Sequence, residues 1–205
     1  MRQQSPHRPL RADAERTVMA ILTAAEKVLS SHPAATMEQI AEAAGVARTT
    51  VHRRFATREA LVDALTAWAT RQFHEAVESA HPASAPPLVA LYQVTANVLR
   101  VKTSWGFAMS RTGTASDDPE VARVHAEVLD ECHRLFVRAR EAGVVHPDTD
   151  LVWARRVYYA LIHEAALHRA DDSDDGTDID GAATLVVDTL LRGIGTGGGG
   201  GAFRP

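Results

Sequence analysis

Apolar residues recur at intervals of three and four along most of the chain, and strand-type alternation is nearly absent. Ile21, Ala24, Ala25, Val28 and Leu29 form the first stripe, and His32-Pro33 ends it, which predicts a helix over 13–31. Thr36 and Gln39 have capping-box spacing and open a short second helix that Gly45 closes. A third helix is predicted over about 48–55, and a fourth from after Thr57 to about 79, ahead of His81-Pro82. Beyond the corner PASAPP (82–87) come a fifth helix over about 87–103 and a broken stretch at 104–118 with one short helix. A long helix follows, opened by Pro119 after Asp118 and closed by Gly143. Two more cover about 150–170 and 179–192, separated by the acidic loop DDSDDGTD. The expected fold is all-α, with about nine helices.

At 205 residues the chain fits one large domain or a small module fused to a larger one. Such a length buries a core without disulfide staples. The single cysteine, Cys132, excludes an intramolecular disulfide and a cysteine-only metal site. The opening run MRQQSPHRPLRADAER lacks the apolar core of a signal peptide, and no apolar stretch reaches membrane-spanning length. The expected setting is cytoplasmic, with no membrane partner.

Net charge is −4, but it is unevenly spread. Residues 1–58 carry 9 Lys and Arg against 5 Asp and Glu, and the remainder 13 against 21. A basic first quarter on an acidic body suits a small phosphate-facing module joined to one that avoids phosphate. Uneven scatter of surface charge is the plainer account.

The stretch MEQIAEAAGVARTTVHRRF (37–55) narrows the choice. Two short helices crossing steeply need a small residue at their contact, and Ala41 sits there. The turn needs a residue at ease with positive φ, and Gly45 supplies it. Ile40, Val46 and Val51 give buried positions on both sides, and Phe55 adds to the seal. With Val51 inward, Thr49 and Arg53 point nearly opposite, His52 lies beside them, and Arg48 and Thr50 flank them. Hydroxyls, imidazole and guanidinium on one face are what a helix in the DNA major groove needs. Arg48 can fork onto a guanine edge, and Thr49 and Thr50 can meet a thymine methyl or a phosphate. His52, Arg53 and Arg54 can reach backbone oxygens. Singly, each is also an ordinary solvated side chain.

The run from Arg16 to Leu61 resembles the DNA-binding domain of the TetR/AcrR family of bacterial transcriptional regulators. The likeness rests on Ile21, Ala24-Ala25, Thr36, Ile40-Ala41, Ala44-Gly45-Val46, Thr50-Val51, Phe55 and Arg58-Glu59-Ala60-Leu61. The run DGAATLVVDTLLRGI (180–194) is similar to the family's last helix, which forms its dimer interface. The resemblance implies an N-terminal three-helix helix-turn-helix DNA-binding domain and a C-terminal helical bundle for ligand binding and dimerisation. It implies a homodimer on a near-palindromic double-stranded DNA operator. An unknown small-molecule effector would change the distance between the heads, which is the mode of a repressor. Phosphate contacts carry over to Thr36, His52 and Arg58, and base contacts to Arg48, Thr49 and Thr50. No cofactor and no metal is expected.

Three positions depart from the family pattern. Ala47 replaces the usual Ser or Thr cap, at a cost of about 1 kcal/mol. His52 replaces the common Tyr, which makes that phosphate contact pH-sensitive. SHPAAT at 31–36 lacks the common Gly before the second helix.

The chain thus divides into a flexible basic arm (1–12), a helix-turn-helix domain (13–58), a helical ligand-binding and dimerisation domain (59–194) and a flexible Gly-rich tail (195–205). Arg2, Arg8 and Arg11 of the arm either reach DNA or belong to a solvated tail. The last two helices carry apolar residues on two sides, so one side can pack on the body and the other on a twin. Leu151, Tyr158, Ile162, Ala182, Val186 and Leu190 are the dimer candidates; a central place in a monomeric core is the alternative. Tyr92, Trp105, Phe107, Met109, His125, Cys132, Tyr159 and His163 are the effector-pocket candidates, an apolar set with a few polar groups; core packing is the simpler role for each. No nucleophile–base constellation or metal motif marks an enzyme. The competing functions are a constitutive, ligand-free DNA binder and a helical small-molecule carrier or enzyme.

Overall fold

The computed structural model describes residues 7–111, 118–171 and 178–196, and these form nine helices with no strand beyond one isolated Val145–Gly195 bridge. They are α1 (His7–Ser31), α2 (Met37–Ala43), α3 (Arg48–Arg54), α4 (Arg58–Glu78), α5 (Pro87–Ser104), α6 (Gly106–Arg111), α7 (Pro119–Glu141), α8 (Leu151–Asp171) and α9 (Ile179–Ile194). The sequence signals act where they were placed. His32-Pro33 stops α1, and Asp118 caps α7 by accepting the Glu120 amide at 2.8 Å, with Pro119 in the first turn. Gly143, at φ 71°, ends α7 in the left-handed region that glycine adopts freely.

α1 begins ahead of Asp13, so residues 7–12 of the expected arm are helical. Pro9 falls in the first turn, where amides have no partner inside the helix and a missing N–H costs nothing. Arg2, most of the acidic loop and most of the Gly-rich tail lie outside the described residues.

Contacts divide the described residues into two compact units, 7–69 with 105–111 and 70–104 with 118–171 and 178–196. The first unit runs past Arg58 because Leu61, Val62, Leu65 and Ala69 of α4 complete its core. That core also takes Ile21, Ala25 and Leu29 from α1, Ile40 and Ala41 from α2, Val51 from α3 and Ala108 from α6. In the second unit α5, α7, α8 and α9 close around Leu91, Leu99, Leu135, Phe136, Tyr158 and Leu190. Phe136 and Tyr158 meet edge to face, with ring centroids 5.5 Å apart. The buried Tyr158 hydroxyl is satisfied by Thr95 at 2.8 Å, and Thr95 in turn donates to the Leu91 carbonyl. No described helix is long and apolar enough to cross a membrane.

Candidate nucleic-acid interface

Local chemistry builds α2, the turn and α3 almost without help from distant residues. Thr36 and Gln39 form a reciprocal capping box. The Gln39 amide donates to the Thr36 hydroxyl at 3.3 Å, and the Thr36 amide to the Gln39 side chain at 2.8 Å. Gly45 sits at φ 65°, a conformation that carries a steric penalty for any residue with a Cβ. The turn closes through Gly45 N–H to Glu42 and Val46 N–H to Ala41, both at 3.0 Å. Ile40 and Val51 are wholly buried on either side of it, with Ala41 between them. α3 starts at Ala47 without a side-chain cap, the departure noted above.

The outer face of α3 then presents the predicted set. Arg48, Thr49, His52, Arg53 and Arg54 are exposed, and Thr50 is half-buried beside Val51. Thr36 is exposed at the start of α2. Arg58 is half-buried, and its guanidinium donates to the carbonyls of Pro33 and Ala35, the latter at 3.2 Å. This clamp, with the Ala35 amide on His32 at 2.9 Å, fixes the loop that lacks the usual glycine. Two of the five guanidinium N–H groups are thereby used, and three remain for a phosphate.

Two acidic residues escaped sequence reasoning. Glu38, on α2, pairs with Arg48 at 2.7 Å. Glu26, only 6% exposed in α1, accepts the backbone amides of Phe107 (2.7 Å) and Ala108 (3.0 Å) at the start of α6. A charge between Ala25 and Val28 on a buried stripe was the available signal for Glu26; nothing in the spacing pointed to Glu38.

The pocket candidates do not fall in one place. Trp105, Phe107 and Met109 pack against the core of the first unit. Tyr92, Cys132 and Tyr159 belong to the core of the second, His125 is half-buried on α7 and His163 is exposed on α8. The Tyr92 hydroxyl donates to Asp188. Burial pushes the Cys132 thiol up to about 11, the opposite direction from the shift that activates a thiol. Tyr159 lies beside it, its phenol raised first by burial and then by that thiol, and its hydroxyl is buried without a hydrogen bond of normal geometry. Among the described residues, no three His, Cys, Asp or Glu side chains converge as a metal site would require.

The dimer candidates lie differently from the expectation. Leu151, Tyr158, Ile162, Val186 and Leu190 are buried in this chain's own core, and Ala182 is half-buried. On the opposite side Trp153 (61% exposed), Leu167 (50%) and Leu185 (67%) face outward, while Val187 is buried in the core with the inner stripe.

Comparison with known proteins gives a consistent picture. The profile describing bacterial regulatory proteins of the tetR family matches residues 21–65. Over 155 residues the chain is 37% identical to the HTH-type transcriptional repressor LfrR of Mycolicibacterium smegmatis, covering 74% of this chain and 80% of that protein. The solved structure of the TetR-like regulator LfrR from Mycobacterium smegmatis in complex with proflavine superposes with a TM-score of 0.66 at 30% identity. That match covers 89% of this chain and 96% of the other. The TetR family regulator PfmR from Thermus thermophilus superposes with a TM-score of 0.70 at 19% identity, covering 84% and 97%, a likeness of fold.

Proposed function

Because the chain belongs to the TetR family of bacterial regulatory proteins, transcription regulators rather than enzymes, we propose that it is a repressor working as a homodimer on a near-palindromic operator. The observation that carries this reading is the outer face of α3. Arg48, Thr49, His52, Arg53 and Arg54 stand exposed on a helix whose inner side is locked by Val51 and the Gly45 turn. Arg48 would read a guanine, Thr49 and Thr50 would contact bases, and Thr36, His52, Arg53, Arg54 and Arg58 would hold phosphates. The exposed apolar stripe of Trp153, Leu167 and Leu185 is the side of α8 and α9 that a second copy would cover.

Selection of bound sequences from a random duplex pool tests the DNA reading. Two half-sites related by a two-fold axis are expected, with affinity falling steeply between about 50 and 200 mM salt. Recovery of no preferred sequence, or binding indifferent to salt, would overturn it. Within the selected operator, Arg48→Ala is expected to relax preference at one base pair per half-site, at a cost of about 1–3 kcal/mol. Titration against operators changed at each position checks this, and a uniform loss across all positions would move Arg48 to the phosphates.

We infer further that a small molecule releases the operator by binding in the second unit. The Tyr159 hydroxyl supports this, being a buried polar group whose one neighbour is the Cys132 thiol, a weak partner that a ligand acceptor would better. The relative crystallised with proflavine supports it too. Cys132 and Tyr158, already packed in the core, favour the alternative of a constitutive binder with a filled body. Thermal-shift screening with proflavine and a compound library, each hit then tested for operator release, separates the two.

A further inference from the structure

Arg48 does not wave freely in front of α3. Its Nη2 lies 2.7 Å from Glu38 Oε1 on α2, and its Nε donates to His52 Nε2 at 3.4 Å, one turn further along α3. Glu38 is itself held. Its carboxyl lies below the usual carboxylate range because its own backbone amide and the Thr36 hydroxyl bond to it, with the Arg48 guanidinium adding positive charge nearby. The carboxylate is therefore ionised and anchored to the start of α2 when it meets the arginine.

The hydrogen-bond inventory shows what this leaves Arg48 to do. A guanidinium has five N–H groups. Glu38 takes one on Nη2 and His52 takes the one on Nε. Both N–H groups on Nη1 and one on Nη2 remain, which is an end-on fork of the width that guanine O6 and N7 accept. The charge tells a second part. A phosphate attracts a net positive charge, and an arginine already paired to a carboxylate offers little of it. A guanine edge asks for directed donors, which the pair leaves in place.

We propose that Glu38 is a specificity-determining positioning residue, which pairs with Arg48 across the turn to withhold it from phosphates and deliver its remaining donors to a guanine. Discrimination then has a repulsive half as well as an attractive one. Phosphates of any sequence see a neutralised pair, with the Glu38 carboxylate behind it, while the correct base sees an oriented fork. The inference rests on the DNA-reading face proposed above.

The test uses the full chain with Glu38→Gln, Arg48→Ala and the double variant, on the selected operator, the operator changed at the Arg48-dependent base pair, and an unrelated duplex. Glu38→Gln is exposed and nearly isosteric, and unchanged far-UV circular dichroism checks that it folds. Its binding to the unrelated duplex is expected to tighten about two- to fivefold, the range of an exposed ion pair. The salt slope should steepen by about one phosphate per head as Arg48 turns to the backbone. Discrimination at the Arg48-dependent base pair should fall by about the same two- to fivefold factor. In the Arg48→Ala background, Glu38→Gln should leave that discrimination unchanged.

Unaltered discrimination and slope in Glu38→Gln would overturn the proposal. So would an equal change in both backgrounds, since Glu38 would then act on DNA by its own charge. Failure of the unsubstituted protein to select any operator would instead overturn the underlying reading, and this proposal with it.

Discussion

Replacement of Glu26 by alanine is expected to lower the stability of the first unit by about 2–5 kcal/mol, with the midpoint of chemical denaturation shifted and its slope unchanged. The size follows from what is left behind. The carboxylate accepts the amides of Phe107 and Ala108, and Ala108 is wholly buried. Alanine removes both acceptors, and the Ala108 amide is then stranded inside the core. Each stranded buried donor costs about 1–3 kcal/mol. The loss is a large fraction of the total for a unit of this size, since domains are stable by only about 5–15 kcal/mol. Ser30 donates to the same carboxylate at 3.2 Å from an exposed position, so Ser30→Ala is expected to cost less than about 0.5 kcal/mol. Operator affinity should fall with the Glu26 variant as well, because α1 packs on α2 and a loosened α1 no longer fixes the helix-turn-helix. An unshifted midpoint in Glu26→Ala would show that α6 is held by packing alone.

Glu26 also marks where sequence reasoning stops. Its partner Phe107 lies 81 residues away, and no local pattern encodes a bond of that span. The helix-turn-helix was legible for the opposite reason. Gly45 answers a backbone angle at one residue, Thr36 and Gln39 answer two amides at one helix end, and Ala41 answers a contact four residues from the turn. Each requirement is met within a few residues, so it leaves a mark in the sequence. Helix ends set by His32-Pro33, Asp118-Pro119 and Gly143 are of the same kind.

Side-chain destination is another matter. Periodicity shows that α8 and α9 are apolar on two sides, but both stripes have the same period, and only packing decides which one faces inward. The structure turns Tyr158, Ile162, Val186 and Leu190 inward and Trp153, Leu167 and Leu185 outward. Trp105, Phe107 and Met109 follow the same rule. They lie beyond α5 in sequence, which suggested the body, yet they belong to the first unit and pack against its core.

That outward stripe sets the last expectation. Leu185→Glu, and independently Trp153→Glu, are expected to turn a dimeric protein into a monomeric one without unfolding it. Leu185 is 67% exposed and Trp153 61% within the chain, so the isolated fold has little to lose; exposed substitutions usually change stability by less than about 0.5 kcal/mol. In a two-fold interface each residue appears twice, so a single change removes two buried side chains and inserts two carboxylates that must be desolvated. Sedimentation velocity reads the outcome directly. The consequence for DNA is larger than the substitution itself. Two linked heads bind the second half-site at an effective concentration near millimolar, and uncoupling them forfeits about 10²–10⁴ in operator affinity. Affinity for an isolated half-site should stay unchanged, because Leu185 and Trp153 lie outside the helix-turn-helix. A variant that remains dimeric would place the interface elsewhere. A monomeric variant that still held the full operator as tightly would show that each head binds alone.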